Sequence, residues 1–271
     1  MVDDCSKDES LEVLAREFPE VKALANERNL GFSGTCNRGI AEARFPILLC
    51  INTDVRMEPD SVAPLLRHFE NPEAFAVTPN VLVAREGINQ GVMTGIYRKG
   101  FVKGRFWPLE RSSAEVRENL YAVGACAAYR TEMLRELRGY SELYSPYIFE
   151  DVDLSYRAWK RGWSSLHEPG STVHHYANAT IGRSKKRNRR IIYFRNRFLF
   201  HWSNLTDPSC IAANLFYTAF RLLFSWLVLD FRIYPALWGA LKRWPEVRAA
   251  RTEAKPHRRL SDHEVLRRTC G

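Results

Sequence analysis

The chain has 271 residues, 45% hydrophobic and 26% charged, with a formal net charge of +9. That balance excludes an intrinsically disordered chain and leaves room for one large domain or two small ones. The charge is unevenly placed: residues 1–182 carry 21 Lys and Arg against 25 Asp and Glu, and residues 183–271 carry 19 against 6, so a body of −4 is joined to a basic third of +13. Nucleic acid and anionic lipid are the partners such a third would meet. The six cysteines are scattered with no C-x-x-C pair, and the opening Met-Val-Asp-Asp-Cys has no secretory pattern, so a reduced, cytosolic setting is expected.

In chain order, Val2 reads as the last residue of a strand followed directly by Asp3-Asp4. Ser10 to Phe18 reads as a short helix, Val21 to Ala25 as a strand, and Asn29 to Gly39 as a Gly-rich segment. Pro46 to Ile51 is a continuous apolar run, the pattern of a strand buried on both faces as in a parallel sheet. It stops at Asn52-Thr53-Asp54; a helix is expected from Pro59-Asp60-Ser61 and a strand over Ala74 to Thr78. This alternation predicts an α/β fold, whose ligands bind beyond the carboxyl ends of the strands. No upstream strand precedes Val2 in the sequence as it starts. The reading favours a start placed too late, and expects an open sheet edge where a central strand would lie.

Three segments carry candidate chemistry. Asn52 and Asp54, two residues apart at a strand mouth, would place two oxygen donors on one side of the chain, as a hard divalent cation and substrate phosphates require, although turn or cap residues have the same pattern. Glu150, Asp151 and Asp153 put three carboxylates in four positions. Such crowding suits a helix cap, a cation or acid–base work, with Asp151 in the first turn and Leu154, Ala158 and Trp159 on the buried face. His174-His175 closes a β-prone run, where an imidazole could join the same cation or simply be structural. The Arg and Lys residues of 183–190, then Arg195 and Arg197, could grip phosphate or form a solvated basic face.

The order of these segments resembles glycosyltransferase family 2, in its bacterial rhamnosyltransferase-like branch. Val2 to Ser10 is similar to V-D-N-x-S-x-D-x-S, Asn29 to Gly39 to N-x-G-F-x-x-x-x-N-x-G, and Leu49 to Asp54 to L-x-L-N-P-D with Thr53 replacing the proline. Gly124-Ala125 with Arg130 resembles G-A-x-x-x-x-R, and Phe149 to Leu154 with Arg157 resembles F-E-D-x-D-L-x-x-R. His175 with Ala179 to Gly182, then Arg195-Asn196-Arg197, complete the series.

The resemblance implies a GT-A nucleotide-sugar-binding fold: a Rossmann-like mixed sheet with helices on both faces, here lacking its first strand. It implies an inverting transfer, with rhamnose the best single guess, from a nucleotide-diphosphate sugar to a hydroxyl of a polyprenyl-diphosphate-linked or surface glycan. It assigns Asp151 as general base with Glu150 beside it, and Asp54 and His175 to a Mg²⁺ or Mn²⁺ ion. Asp3, Asp4, Asn37, Asn52, Arg195 and Arg197 fall to the donor side, and Gly124 and Asp153 to the acceptor side. The absent opening strand puts donor binding in question, and an impaired homologue serving as a scaffold in polysaccharide assembly is the alternative.

Residues 1–200 are expected to form the catalytic domain and 201–271 a basic helical extension. Ile211 to Leu241 is apolar and aromatic but interrupted by Arg221, Asp230 and Arg232, and Trp202, Trp226, Trp238 and Trp244 punctuate the region. The preferred reading is helices lying in an anionic membrane interface, with a span or a soluble helical cap as alternatives. Together with the lipid-linked acceptor at the cytoplasmic face that the resemblance implies, this reading expects the protein peripherally on the cytoplasmic face of the inner or plasma membrane. Arg243 to Gly271 is expected to be loosely ordered. A nucleic-acid protein is disfavoured, because no base-stacking or groove-reading motif occurs.

Overall fold

The computed structural model describes residues 1–111, 114–176 and 186–270. The chain runs β1 (Val2–Asp3), α1 (Ser10–Glu17), β2 (Leu24–Ala25), α2 (Gly31–Glu42), β3 (Ile47–Ile51), β4 (Val55–Met57), α3 (Val62–Leu66), β5 (Ala74–Val83), β6 (Ile88–Arg98), β7 (Phe101–Pro108), β8 (Arg117–Glu118) and β9 (Cys126–Arg130). It continues through α4 (Thr131–Glu136), α5 (Glu150–Lys160), β10 (Ser164–His175), α6 (Lys186–Asn204), α7 (Pro208–Phe224), α8 (Ile233–Leu241), α9 (Trp244–Ala254) and α10 (Asp262–Thr269). The Gly-rich segment is largely helical: it supplies most of α2, entered through Gly31 at φ +71°.

An eight-stranded mixed sheet has the central order β3-β9-β5-β10-β4, with the β6–β7 hairpin attached to β5 and β8 to β10. β1 and β2 form a separate parallel pair. β3 departs from the buried parallel strand that its apolar run suggested. It pairs antiparallel with β9, its other edge has no strand partner among the described residues, and Ile51 is 41% exposed. β3, β5 and β10 run in the same direction, so their carboxyl ends and the start of β9 lie at one end of the sheet.

α5 lies at the centre of the packing. Leu154, Ala158 and Trp159 are fully buried, as its amphipathic spacing predicts, and the Trp159 indole N–H donates to the Asn119 carbonyl at 3.0 Å. Tyr156 and Trp159 share one core with Phe198, Leu199 and Phe200 of α6, Ala236 and Ala240 of α8, Val247 of α9, and Val265 and Leu266 of α10. The core therefore crosses the expected 200/201 boundary, and α6 runs straight through it. The last stretch is ordered, contrary to its polar composition. α10 begins with a reciprocal capping box between Ser261 and Glu264, and its buried Asp262 anchors it.

The Asp262 carboxylate accepts from Lys160 Nζ at 2.9 Å, the Tyr156 hydroxyl at 2.9 Å, and the Thr206 and Asp207 amides at 2.6 and 2.7 Å. Lys160 is itself buried. Replacing Asp262 with Ala strands that ammonium, so urea unfolding of Asp262→Ala should show a loss of about 3–5 kcal/mol. A loss below about 1 kcal/mol would mean that the C-terminal helices are not fastened through this carboxylate.

Candidate active site

The chain leaves β3 at Ile51, and the Asn52 amide donates to the Ala125 carbonyl at 2.9 Å, so the Asn52 to Asp54 turn is fixed beside Gly124. The Asp54 carbonyl accepts from the Tyr176 amide at 2.9 Å, which brings the turn to the end of β10. Adjacent strand residues face opposite sides. His174 Nε2 meets Glu58 Oε1 at 2.7 Å, while His175 Nε2 lies 3.3 Å from Asp54 Oδ1.

Gln90 Oε1 sits 2.9 Å from His175 Nδ1, so that nitrogen carries the proton and donates. Nε2 then faces a carboxylate oxygen, an arrangement that serves either as an ion pair or, with a neutral imidazole, as two ligands for a divalent ion. The expected pairing of Asp54 with His175 is thus present in the geometry. Gln90, which orients the imidazole, has no sequence signal: it lies inside a β-run 85 residues from its partner.

Asp151 occupies the first turn of α5. Its Oδ2 accepts from the Gly124 amide at 3.3 Å and its Oδ1 from the Val152 amide at 2.8 Å. A Cβ on Gly124 would come within 3.0 Å of the Phe32 ring and 3.9 Å of Asp151 Oδ2, so glycine lets both groups approach the strand start. Burial pushes the Asp151 carboxyl up to about 6, and the Val152 and Gly124 amides pull it back. Burial, reinforced by the charge of Asp151, pushes Glu150 up to about 8, and Glu150 Oε2 is buried without a hydrogen-bond partner. Both adjacent carboxyls are therefore raised, Glu150 the further, and the pair resists carrying two charges at neutral pH.

The segment entering α5 is constrained by α6. Ile148 and Phe149 have φ of +73° and +84°, a conformation that costs a β-branched or bulky residue about 1–3 kcal/mol each. The buried Asn196 side chain holds it there, its Nδ2 lying 2.6, 2.9 and 2.8 Å from the carbonyls of Tyr144, Tyr147 and Ile148. Asn196 belongs to the Arg195-Asn196-Arg197 motif, but its type alone does not reveal this duty.

Several expected site residues have structural attachments. Asp153 is buried and fully engaged: Oδ1 accepts from the Tyr144 hydroxyl and Asn204 Nδ2, both at 2.8 Å, and Oδ2 from Arg157 Nε at 2.6 Å. The Asn37 amide is exchanged with Tyr140, donating to its carbonyl at 2.8 Å and accepting its N–H at 2.7 Å. Asp4 accepts the Leu30 and Gly31 amides at 2.7 and 2.9 Å. Although burial pushes its carboxyl up, these bonds and Asn26 hold it below its ordinary value. It thereby starts α2 next to Phe32 and the site. Asp3 is buried and accepts from the Ser6 amide at 3.0 Å.

Arg195 donates to the Ser145 carbonyl and to Asn196 Oδ1. Arg197 lies 3.6 Å over the Phe101 ring, and burial lowers its pKa to about 10. Ala179 to Gly182 and Arg183 to Lys185 lie outside the described residues.

Residues 1–138 match the family model for glycosyl transferase family 2. The chain belongs to that family. It is 29% identical over 206 residues to the N-acetylglucosaminyl-diphospho-decaprenol L-rhamnosyltransferase of Mycobacterium tuberculosis, a match covering 66% of this chain and 67% of that protein. Among solved structures, it is similar to GalNAc-T7 with UDP, GalNAc and Mn²⁺, at TM-score 0.67 and 17% identity over 98% of this chain. It spans about half (49%) of that chain's length. S. aureus TarS 1-349 with UDP-GlcNAc matches at TM-score 0.51 and 15% identity, covering 98% of this chain and 80% of that one. These likenesses give the glycosyltransferase the GT-A fold.

The Glu150 environment has a measurable cost. Its folded pKa lies above its unfolded value, so its stabilising contribution is complete below about pH 4.5. That contribution is lost as pH rises through about 8. Glu150→Gln should match wild type in thermal stability at pH 5 and exceed it at pH 9. Equal stability at both pH values would contradict a buried, unpartnered Glu150.

Proposed function

We propose that this family 2 glycosyltransferase moves a sugar, with rhamnose the best guess, from a nucleotide-diphosphate donor to a hydroxyl of a lipid-linked glycan, with inversion. The observation that carries the reading is the Asp151 carboxylate, accepting from the Gly124 amide at the sheet end where the Asn52 turn, Asp54 and His175 converge.

Asp151 takes the acceptor hydroxyl proton as the acceptor oxygen bonds to the anomeric carbon and the bond from that carbon to the diphosphate oxygen breaks. Glu150 keeps its proton and leaves Asp151 as the base. Asp54 and His175 would hold Mg²⁺ or Mn²⁺, which when bound neutralises charge on the departing diphosphate. Asn52 and the β1 end with Asp3 form the donor side, and the Asp4-capped start of α2 supports it. Arg195, Arg197 and Asp153 serve to build the scaffold in this reading, since their side chains are committed to protein partners. The N-acetylglucosaminyl-diphospho-decaprenol named for the mycobacterial relative supports a polyprenyl-diphosphate acceptor.

Such an acceptor lies at a membrane. Pro208 to Leu227 is long and apolar enough to cross one, with mean hydropathy 1.3. Its attachment supports lying along the surface instead: Asn214 is buried and donates to the Gly100 carbonyl at 2.8 Å, while Phe216, Leu223, Trp226, Leu229 and Trp238 are exposed. Arg98 and Lys99 at the β6–β7 turn, and Lys242 beside Trp238, add exposed cations suited to an anionic cytoplasmic leaflet.

Asp151→Asn should lower transfer by at least about 10²-fold while donor affinity, measured by calorimetry, changes little. Near wild-type turnover would remove the base assignment. In flotation with anionic vesicles at low salt, the wild type should bind and Trp226→Glu/Leu229→Glu should bind at least about tenfold less. Absence of wild-type binding would remove the membrane reading.

A further inference from the structure

A second group of metal-ligating side chains lies where α7 meets α10. Asp207, Cys210 and His263 each offer one ligand atom, and the three atoms lie within 4.8 Å of one another. Asp207 is the N-cap of α7 and Cys210 lies three residues on, so both side chains gather at the helix mouth; His263 comes from the first turn of α10. His263 Nε2 is 3.9 Å from Cys210 Sγ and 3.9 Å from Asp207 Oδ2. Tetrahedral coordination of zinc sets such edges at about 3.4–3.6 Å, so the two edges at His263 lie a few tenths of an ångström outside that range, and the three ligand atoms together stay within 4.8 Å.

The surroundings hold these groups in place. The Asp207 amide is held by Asp262, and Asp207 Oδ2 accepts the His263 amide at 3.0 Å. Cys210 is fully buried, whereas the His263 side chain is 63% exposed, so an ion could enter from the His263 side. Ser209 Oγ is hydrogen-bonded to His263 Nε2 at 2.9 Å, a contact that an incoming ion would displace.

We propose that Asp207, Cys210 and His263 bind a zinc-class divalent ion that staples the C-terminal helix α10 to the start of α7. Thiolate, imidazole and carboxylate together select a borderline-soft ion, in contrast to the harder Mg²⁺ or Mn²⁺ suited to Asp54 and His175. Binding forms a metal–sulfur bond and releases the thiol proton to solvent, and water takes the fourth position. The ion joins segments 53 residues apart and acts on stability rather than on sugar transfer.

The test uses the full chain, stripped with EDTA and titrated with Co²⁺. The site should bind one equivalent, with a thiolate-to-cobalt charge-transfer band that Zn²⁺ displaces, and Zn²⁺ should raise the melting temperature. Cys210→Ser should abolish the band. His263→Ala, at an exposed position that folding tolerates, should weaken Co²⁺ binding at least tenfold. Asp54→Asn should retain the band, which separates this site from the sugar-transfer centre. A folded wild type without the band, or a band that survives either Cys210→Ser or His263→Ala unchanged, would overturn the proposal.

Discussion

Two neighbouring carboxyls, Glu150 and Asp151, are buried at the start of one helix, and much of the architecture answers to that constraint. Water would ionise both; the interior cannot hold two adjacent negative charges at neutral pH. The N-terminal end of α5 favours negative charge, and the Gly124 and Val152 amides bond directly to Asp151, so that carboxyl is the better place for a charge. Glu150 is raised further and has a buried oxygen lacking a partner.

Holding α5 in this position draws on distant parts of the chain. Asn196 of α6 fixes the left-handed approach through Ile148 and Phe149, and Asp153 locks the first turn to Tyr144, Arg157 and Asn204. At the other end of α5, Lys160 pairs with Asp262 of α10. The C-terminal helices are therefore part of the support of the Glu150–Asp151 pair. This explains why the core ignores the composition change near residue 200, and why a polar, basic stretch that reads as loose is helical. Val247, Val265 and Leu266 are spent on the shared core, and Leu260 and Cys270 pack against it.

Much of the site was legible because its chemistry is local in sequence. Asn52 and Asp54 end an apolar run, Glu150 and Asp151 open an amphipathic helix, and His175 closes a β-prone stretch; each pattern survives without tertiary information. What stayed hidden depends on long-range contact. Gln90 is one polar residue among apolar ones until β6 places it against His175, and Asn196 looks like any amide beside two arginines. The contacts of the motif arginines were hidden for the same reason: Arg197 lies over the Phe101 face, with its Nε left unpartnered, and Arg195 reaches the Ser145 carbonyl. The pairing of β3 was misread because an apolar run covered on both faces, Ile47 and Leu49 on one and Leu48 and Cys50 on the other, does not reveal whether its neighbour is parallel or antiparallel.

The central claim is that this buried pair carries one charge at neutral pH, leaving Asp151 as the base. Carboxyl ¹³C NMR titration of the full chain tests it most directly. Two of the side-chain carboxyls should titrate far above the rest, near 6 and near 8, and the lower midpoint should move when Glu150 is replaced by Gln. If all 31 Asp and Glu side chains titrate below about pH 5, the pair is doubly ionised at neutral pH and the account is wrong.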